Sequence, residues 1–263
     1  MLPKPPRKVE TVLQTIADNG GQGYVVGGAL RDLLLDKHPH DWAFSVTLPE
    51  SRLLEIFPNA RPVGGQPGVV SLPFGYGKCE VAPCRPARDG FEIRDAAGNA
   101  YAANIFTDLS RRDFTVNAMA YDGNILIDPF GGQQDLQNGL LRCVGDPAQC
   151  FAEDPLRILR LFRLAATLYF APEFATYGAA VGAMRTLSLV SAARVREEVE
   201  RILISGAPQV LGIIIAKGGL HNYGFHFAPE LGLLADLPRN RLCRWWALTA
   251  VCGATGVEVG KAF

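Results

Sequence analysis

The sequence predicts an α+β fold in which a small mixed β-sheet with helices comes first and an all-helical region follows. Residues 41 to about 127 are rich in strand-forming residues and are punctuated by Pro and Gly, as strands and turns are. From about residue 133 the β alternation nearly disappears, and apolar residues recur at helical spacing. With 263 residues, 48% of them hydrophobic and 20% charged, the chain can form more than one folded unit.

The N-terminal half begins with a predicted amphipathic helix over residues 7–19. A strand, a tight glycine turn and a second helix are expected over residues 23–36. Short apolar runs between turn residues predict five further strands: Trp42–Val46, Val69–Leu72, Lys78–Pro83, Ala118–Tyr121 and Ile125–Ile127. The polar, glycine-containing stretch at 87–104 is typical of a mobile loop.

The C-terminal half is predicted to be helical, and its first long helix falls in EDPLRILRLFRLAA at residues 153–166. A second amphipathic helix is expected over residues 191–205, with Ser191 as its N-cap. Residues 210–220 and Arg241–Val251 predict two more helices. The tryptophan pair at 245–246, in the last of them, is expected to fill the core.

The composition argues against several classes of protein. No apolar run approaches the ~20 residues of a membrane span, and the N-terminus lacks a signal core, so a soluble, cytoplasmic chain without a membrane partner is expected. The six cysteines show no CxxC spacing, which favours reduced thiols over disulfides or zinc. The 26 basic and 26 acidic residues cancel, so a polyanion would have to be bound by local clusters. Most basic residues are arginines, which suit phosphate, although a GC-rich genome explains them equally.

The stretch GYVVGGALRD, residues 23–32, has the order of a strand, a Gly-Gly turn and a helix. Glycine lets main-chain N–H groups approach a phosphate, and a helix N-terminus favours anions, so Gly27 and Gly28 are candidates for phosphate binding. Turns of this kind are also common without a ligand. Arg31 and Asp32 form a charge pair that either braces the turn or is a surface ion pair of small energetic value.

Asp41 opens the strand that follows, and residues two apart on a strand face the same side. An Asp-x-Asp pattern would direct two carboxylates to one point, where they could hold a pair of Mg²⁺ ions ~3.5–4 Å apart for in-line attack on a phosphate. The second position is Ala43. Because a methyl group cannot bind a metal ion, the sequence predicts only half of such a site.

Four stretches, in this order along the chain, resemble the class II tRNA nucleotidyltransferases, the family of the CCA-adding enzymes and their bacterial poly(A) polymerase relatives. GGALRD, with DWA in place of Asp-x-Asp, resembles the first motif, and DLSRRDFTVNAMAYD, residues 108–122, resembles the second. LIDPFGG, residues 126–132, resembles the strand and turn that follow. EDPLRILRLFRLAA resembles the nucleotide-selecting helix of the neck, and the likeness extends loosely to residues 190–205.

The resemblance implies three domains along the chain. They are a nucleotidyltransferase head at 1–132, a helical neck that selects the nucleotide at 133–205, and a helical body at 206–263. The family's usual members extend well past residue 263 into regions that grip tRNA. Either a truncated or an unusually compact member is therefore expected.

The resemblance also assigns nucleotide contacts in the head. The guanidinium groups of the RRD sequence would clamp a triphosphate, and its carboxylate would accept from a ribose hydroxyl and select ribonucleotides. Without the resemblance, RRD is a solvated charge cluster. The phosphate- and ribose-binding set implied in this way is Gly27, Gly28, Arg31, Arg111, Arg112, Asp113 and Asn117.

Glu153, Asp154 and Arg157 form the implied base-selecting set, and their spacing places Asp154 and Arg157 on one face of a predicted helix. In the family, the matching acid and arginine hydrogen-bond the Watson–Crick edges of CTP or ATP and so replace a template. An intrahelical salt bridge is the alternative from spacing alone. Arg160 and Arg163 would contact RNA or phosphates, or only cover the polar side of the helix.

The loop at 87–104 coincides with the family's flexible segment, whose movement accompanies the switch from C to A addition. The sequence EVAPCRPARDG, residues 80–90, lacks the Thr-Thr that usually precedes this segment. Arg85 is the best match to the family's arginine and is a candidate contact for RNA or phosphate.

The function implied is template-independent addition of C and A to the 3′ end of tRNA, from CTP and ATP with Mg²⁺. Ala43 at the metal-ligand position indicates an inactivated variant, from an engineered Asp→Ala change or from natural loss. Enzymes that add only C or only A, and poly(A) polymerases, share the four motifs and are alternatives. A catalytically inactive RNA-binding protein is the alternative from another class, and contact with RNA is the second interpretation of the tryptophan pair.

Overall fold

The structure, a computed structural model of the chain, describes residues 5–74, 77–85, 93–94, 100–101 and 104–252. The chain forms two compact units, Met1–Gln137 and Asn138–Phe263. The first combines a mixed sheet with helices and the second is mainly helical, which confirms the predicted fold class. The division into three domains stays a prediction. Within the part of the chain that the structure describes, no helix is both long and apolar enough to cross a membrane.

The first unit contains both helices and strands. Its helices and strands are, in chain order, α1 (Arg7–Asp18), β1 (Gly23–Val26), α2 (Gly27–Leu34), β2 (Trp42–Val46), α3 (Glu50–Ile56), β3 (Arg61–Pro62), β4 (Val70–Pro73), β5 (Lys78–Pro83), β6 (Ile93–Arg94), β7 (Ala100–Tyr101), α4 (Ile105–Ser110), β8 (Ala120–Tyr121), β9 (Leu126–Ile127) and α5 (Gly132–Gln137). β6 and β7 pair within the stretch predicted to be a loop, most of which lies outside the described residues.

The main sheet of the first unit has the strand order β3-β4-β5-β2-β1-β8-β9. β2 and β5 run parallel, and the other neighbouring strands are antiparallel. The register places Ala43 of β2 opposite Glu80 of β5. Because paired residues on neighbouring strands point to the same side of a sheet, Glu80 is the side chain beside position 43.

The strands predicted at residues 42–46 and 78–83 have the observed bounds of β2 and β5. The strand predicted over residues 118–121 is wrong in its first half. A 3₁₀ turn, Thr115–Asn117, comes just before, and the main-chain N–H of Ala118 donates to the carbonyl of Thr115 over 2.9 Å. That N–H is therefore not available to the sheet.

The path from β1 into α2 depends on Gly27, where the helix begins without an intervening loop. Its φ of +69° is a left-handed conformation that side chains disfavour. A Cβ at this position would also lie 3.2 Å from Nη1 of Arg112. The glycine therefore brings the main chain close to a guanidinium group.

The second unit is built from helices. Its helices and strands are β10 (Leu140–Leu141), α6 (Pro147–Glu153), α7 (Leu156–Leu168), β11 (Ala171–Pro172), α8 (Phe174–Gly182), α9 (Ala192–Leu203), α10 (Leu211–Ala216) and α11 (Arg241–Val251). Four 3₁₀ turns lie between the later helices: Met184–Leu189, Pro208–Val210, His221–Tyr223 and Pro229–Asp236.

Three details of the second unit differ from the sequence prediction. The region is not wholly helical, because β10 and β11 form a short parallel pair. Tyr169, whose φ is +60°, ends α7 and is followed by β11. Ser191 does precede α9, but its side chain accepts no capping hydrogen bond. Trp246 is 74% exposed, so its prediction as a core residue is wrong, while Trp245 is half-buried. The last helix buries the face that carries Arg244 and Leu248 instead.

Candidate active site

A cavity of about 380 Å³ lies in the first unit against the face of the sheet that carries position 43. Ala43 and Ser45 of β2 and Glu80 of β5 line it. Asp108 of α4 and Arg112, two residues beyond that helix, line it as well. The cavity therefore has acidic and basic groups within one wall, on the face where the sequence predicts a phosphate-handling site.

Glu80 was missed as a candidate by the sequence analysis. Its neighbours Cys79 and Val81 are fully buried, so alternation along β5 puts Glu80 on the opposite face. The alternation is visible in the sequence KCEVAP, residues 78–83. The parallel pairing of β5 with β2, which brings Glu80 next to position 43, could not be predicted from the sequence.

Asp41 lies immediately before β2, and its side chain is 66% exposed. Its Oδ1 accepts the main-chain N–H of Lys78 over 2.9 Å, and Nδ1 of His40 lies 3.0 Å from the same oxygen. Burial alone would raise the pKa of Asp41, but these hydrogen bonds and the charges of both neighbours lower it below its usual value. Asp41 is therefore ionised at neutral pH. Both of these hydrogen bonds involve Oδ1, and neither involves Oδ2.

The residues present do not fit the two-ion site that an Asp-x-Asp pattern would form. Ala43 contributes no ligand, so Glu80 beside it and Asp41 just before β2 are the candidate ligands; the other acids that line the cavity, Glu50 and Asp108, already accept hydrogen bonds from the protein. Among the described residues there is no group of three or more His, Cys, Asp or Glu side chains placed to hold a metal ion. Two carboxylates are enough for a weak Mg²⁺ contact that a nucleotide phosphate completes, but not for a pair of ions.

Asp108 holds the basic groups of the cavity wall. Its Oδ1 accepts from the main-chain N–H and from Nε of Arg85, over 3.2 and 2.8 Å. Its Oδ2 accepts from Nε and Nη2 of Arg112, over 3.1 and 2.7 Å, and from Oγ of Ser45 over 3.0 Å. Burial alone would raise the pKa of Asp108, but the guanidinium groups of Arg112 and Arg85 hold it well below its usual range.

A second buried network surrounds the Gly-Gly turn. Arg31 donates through Nε and Nη2 to Oδ1 of Asp32, over 2.9 and 2.7 Å, and through Nη1 to Oδ1 of Asn117 over 2.8 Å. Nδ2 of Asn117 donates in turn to Oδ1 of Asp113 over 3.1 Å. Arg31 thus links α2 to the 3₁₀ turn that contains Asn117, and its expected role in bracing the Gly-Gly turn stays a prediction. The ribose contacts of Asp113 and Asn117 stay predictions.

In the second unit, the implied base-selecting residues do not lie on a single helix. Glu153 ends α6, Arg157 lies in the first turn of α7, and Asp154 between them is extended, with φ −143° and ψ 97°. Pro155 explains the break, because a residue that precedes proline is disfavoured in the helical conformation. The predicted shared helix face of Asp154 and Arg157 is therefore wrong.

The side chains of Arg157 and Asp154 have different hydrogen-bond partners. Nη1 of Arg157 donates to Oε2 of Glu153 and to the carbonyl of Cys150, each over 3.2 Å. Asp154 accepts from Nη2 of Arg194 in α9 over 3.0 Å. A salt bridge does form between Glu153 and Arg157, but it joins the end of α6 to the start of α7 and is not the intrahelical pair expected from spacing alone, and Asp154 pairs with Arg194 of α9.

Arg163 pairs with Glu198 of α9, and its Nε lies 2.6 Å from Oε2 of that residue. Both side chains are largely buried. Burial lowers the pKa of Arg163 from its usual value despite its acidic partner. This ion pair ties α7 to α9, and the phosphate contacts expected of Arg160 and Arg163 stay predictions.

Similar proteins agree with the fold and with the motifs. Residues 23–142 match the family model described as the poly(A) polymerase head domain. The CCA-adding enzyme of Lactobacillus helveticus (strain DPC 4571) is 37% identical over 193 residues, which are 73% of this chain and 48% of that protein. The chain spans about half the length of the curated relatives it matches.

Two solved structures are similar over most of the chain. The CCA-adding enzyme of Bacillus stearothermophilus in complex with CTP has a TM-score of 0.82 at 29% identity, over 97% of this chain and 65% of that one. A tRNA nucleotidyltransferase complexed with a primer tRNA and an incoming ATP analogue has a TM-score of 0.68 at 30% identity, over 84% of this chain and 65% of that one. Through residues 23–142 the chain belongs to the family of the poly(A) polymerase head domain, which confirms the family that its motifs predict.

Proposed function

We propose that the chain is the nucleotide-binding part of a tRNA nucleotidyltransferase that adds C and A residues to the 3′ end of tRNA from CTP and ATP. The observation that carries the proposal is the cavity in which two fixed arginines face the strand with position 43. Anchored guanidinium groups are suited to the charged oxygens of a triphosphate. Relatives named CCA-adding enzymes, one of them solved with CTP, support this choice of substrate.

In this proposal the residues of the first unit bind and orient the nucleotide. Arg112 and Arg85 hold phosphate oxygens, and the Gly27-Gly28 turn allows the main chain to approach them. Arg111 adds a third cation, and Asp113 accepts from the ribose. The 3′ hydroxyl of the tRNA attacks the α-phosphate, a new phosphodiester bond forms, and pyrophosphate leaves.

Mg²⁺ is the cation that we propose for this reaction, and its chemistry is to neutralise charge on the phosphate groups. Asp41 and Glu80 would hold it beside the cavity, with an acid at position 43 as the missing ligand. Ala43 removes that ligand, so this chain is proposed to bind nucleotides and to turn them over slowly or not at all. An engineered change and a natural loss both fit, and the codon at position 43 of the source gene distinguishes them.

Base selection is proposed to lie in the second unit. An arginine donates to acceptors on cytosine, and an aspartate accepts from an exocyclic amine. Arg157 and Asp154 are each anchored by a neighbouring ionic group, Glu153 and Arg194, which favours fixed directions for these contacts. tRNA would be bound mainly through its shape and backbone, as structured RNA is.

The nature of the product tests the proposal. An Ala43→Asp chain would be incubated with tRNA transcripts that lack three, one or none of the terminal CCA nucleotides, with CTP, ATP or both. The proposal predicts that two C residues and then one A are added, and that the complete tRNA is not extended. Products of a single nucleotide type would favour an enzyme specific for C or A, and long A tails would indicate a poly(A) polymerase. Binding of tRNA without any extension would favour the inactive RNA-binding protein.

A further inference from the structure

We propose that Asp108 is a positioning residue that sets Arg85 and Arg112 at the cavity wall, so that together they bind the phosphates of a nucleotide. The inference rests on the proposed function and extends it to a residue that the motif analysis gave no role. Asp108 itself would not touch the substrate, because its carboxylate is already surrounded by donors from the protein.

The geometry of Asp108 supports this role. Each carboxylate oxygen serves one arginine: Oδ1 accepts from Arg85 and Oδ2 accepts from Arg112. Three segments that are far apart in sequence meet at Asp108. They are Arg85 just after β5, α4 with Arg112 just after it, and Ser45 of β2. A single side chain therefore fixes both guanidinium groups relative to the strand that carries position 43.

Burial and charge support it as well. The carboxylate of Asp108 is 2% exposed, whereas the side chains of Arg85 and Arg112 are 46% and 16% exposed. The acid is thus inside the wall and the cations are nearer to solvent. Asp108 neutralises only one of the two guanidinium groups, so these three side chains together carry a charge of +1 and can bind phosphate oxygens at the arginines, while Glu50 and Glu80 add negative charge elsewhere in the cavity lining. Without the acid, the two cations would repel each other and would lose their common anchor.

A stabilising ion pair with no part in binding is the competing explanation, so the test needs a readout that stability alone does not move. Binding of inorganic tripolyphosphate and of CTP to the full chain would be measured by titration calorimetry. These ligands need no turnover, so the chain with Ala43 can be used as it is. Asp108→Asn keeps the shape of the side chain and removes its charge.

Asp135→Asn is the matched control, because Asp135 is also a buried acid of the first unit but bonds to Thr115 over 2.7 Å and does not line the cavity. We expect Asp108→Asn to weaken tripolyphosphate and CTP binding at least tenfold, and Asp135→Asn to change it less than twofold. Equal losses in the two variants, or a change below twofold in Asp108→Asn, would overturn the inference.

A double-mutant cycle with Arg85→Gln tests whether Asp108 acts through the arginine. If it does, Asp108→Asn costs less affinity in the Arg85→Gln background than in the parent chain, and additive losses would contradict the proposal. If Asp108→Asn does not fold, Asp108→Glu keeps the charge but displaces it by one methylene, and an unchanged affinity would overturn the inference. A parent chain that binds no tripolyphosphate would also overturn it, while CCA addition by Ala43→Asp would leave the proposed function standing.

Discussion

An Ala43→Asp chain is expected to add nucleotides to tRNA at least about 100-fold faster than the parent chain. Position 43 lies beside Glu80 and two residues after Asp41, so the new carboxylate would stand next to Glu80 in the cavity wall, where an acid at this position could join Asp41 as a metal ligand. A divalent cation held there would contribute several kcal/mol of charge stabilisation in phosphoryl transfer, and about 1.4 kcal/mol corresponds to a factor of ten in rate. The measurement is the rate of labelled CMP incorporation under single-turnover conditions.

Ala43→Asn is the control for this experiment, because its side chain has nearly the size of aspartate but no charge. It is expected to stay within about tenfold of the parent chain, since a neutral amide is a weaker ligand for Mg²⁺ than a carboxylate. Equal rates for the Asp and Asn variants would mean that position 43 acts through shape and not as a metal ligand.

Arg244→Ala is expected to lower the free energy of unfolding of the second unit by about 3–4 kcal/mol. Arg244 is 2% exposed, and its guanidinium donates to the main-chain carbonyls of Leu203, Ser205, Leu237 and Pro238. Removing it leaves several buried carbonyl groups without a donor and creates a cavity. Denaturant unfolding followed by tryptophan fluorescence would measure the loss, because Trp245 and Trp246 lie on the same helix.

Arg241→Ala is the matched control on α11. The Arg241 side chain is more than half exposed and forms a surface ion pair with Glu200, with its Nε 2.9 Å from Oε1. Exposed pairs of this kind contribute about 0–1 kcal/mol, so the control should unfold nearly as the parent does. A loss in Arg244→Ala no larger than that in Arg241→Ala would show that the buried carbonyls find other donors, and would refute the anchoring role.

The parts of the site that lie within one local element could be predicted from sequence. The strand at residues 42–46 and the Gly-Gly turn at the start of α2 were both placed from local patterns, whereas the shared face of Asp41 and Ala43 stays a prediction because Asp41 lies just before the strand. Glu80 was missed because its position depends on the parallel pairing of β2 and β5, which no local pattern encodes. Asp108 is the first residue of the DLSRRD motif, but its role depends on Arg85 and Arg112, which come from two different segments of the chain.

The errors in the second unit have local and tertiary causes. Helical spacing around Asp154 was a misleading signal, because Pro155 separates α6 from α7 and the proline effect outweighs the periodicity. Trp246 was expected in the core because tryptophan is large and apolar, yet α11 directs Arg244 inward instead. An arginine with main-chain carbonyls as partners can satisfy a buried position, and composition alone does not indicate this.

A crystal structure of the parent chain with CTP and Mg²⁺ is the most direct test of the central claim, that the cavity beside position 43 binds the nucleotide's phosphates. Without a tRNA acceptor, and with Ala43 in place of an acid, the nucleotide should remain intact. The account predicts the triphosphate in this cavity, within hydrogen-bond distance of Arg112 and Arg85. CTP bound elsewhere in the first unit, for instance in the cavity lined by Lys8 and Phe74, with both arginines bonded to Asp108 and neither to the nucleotide, would contradict it.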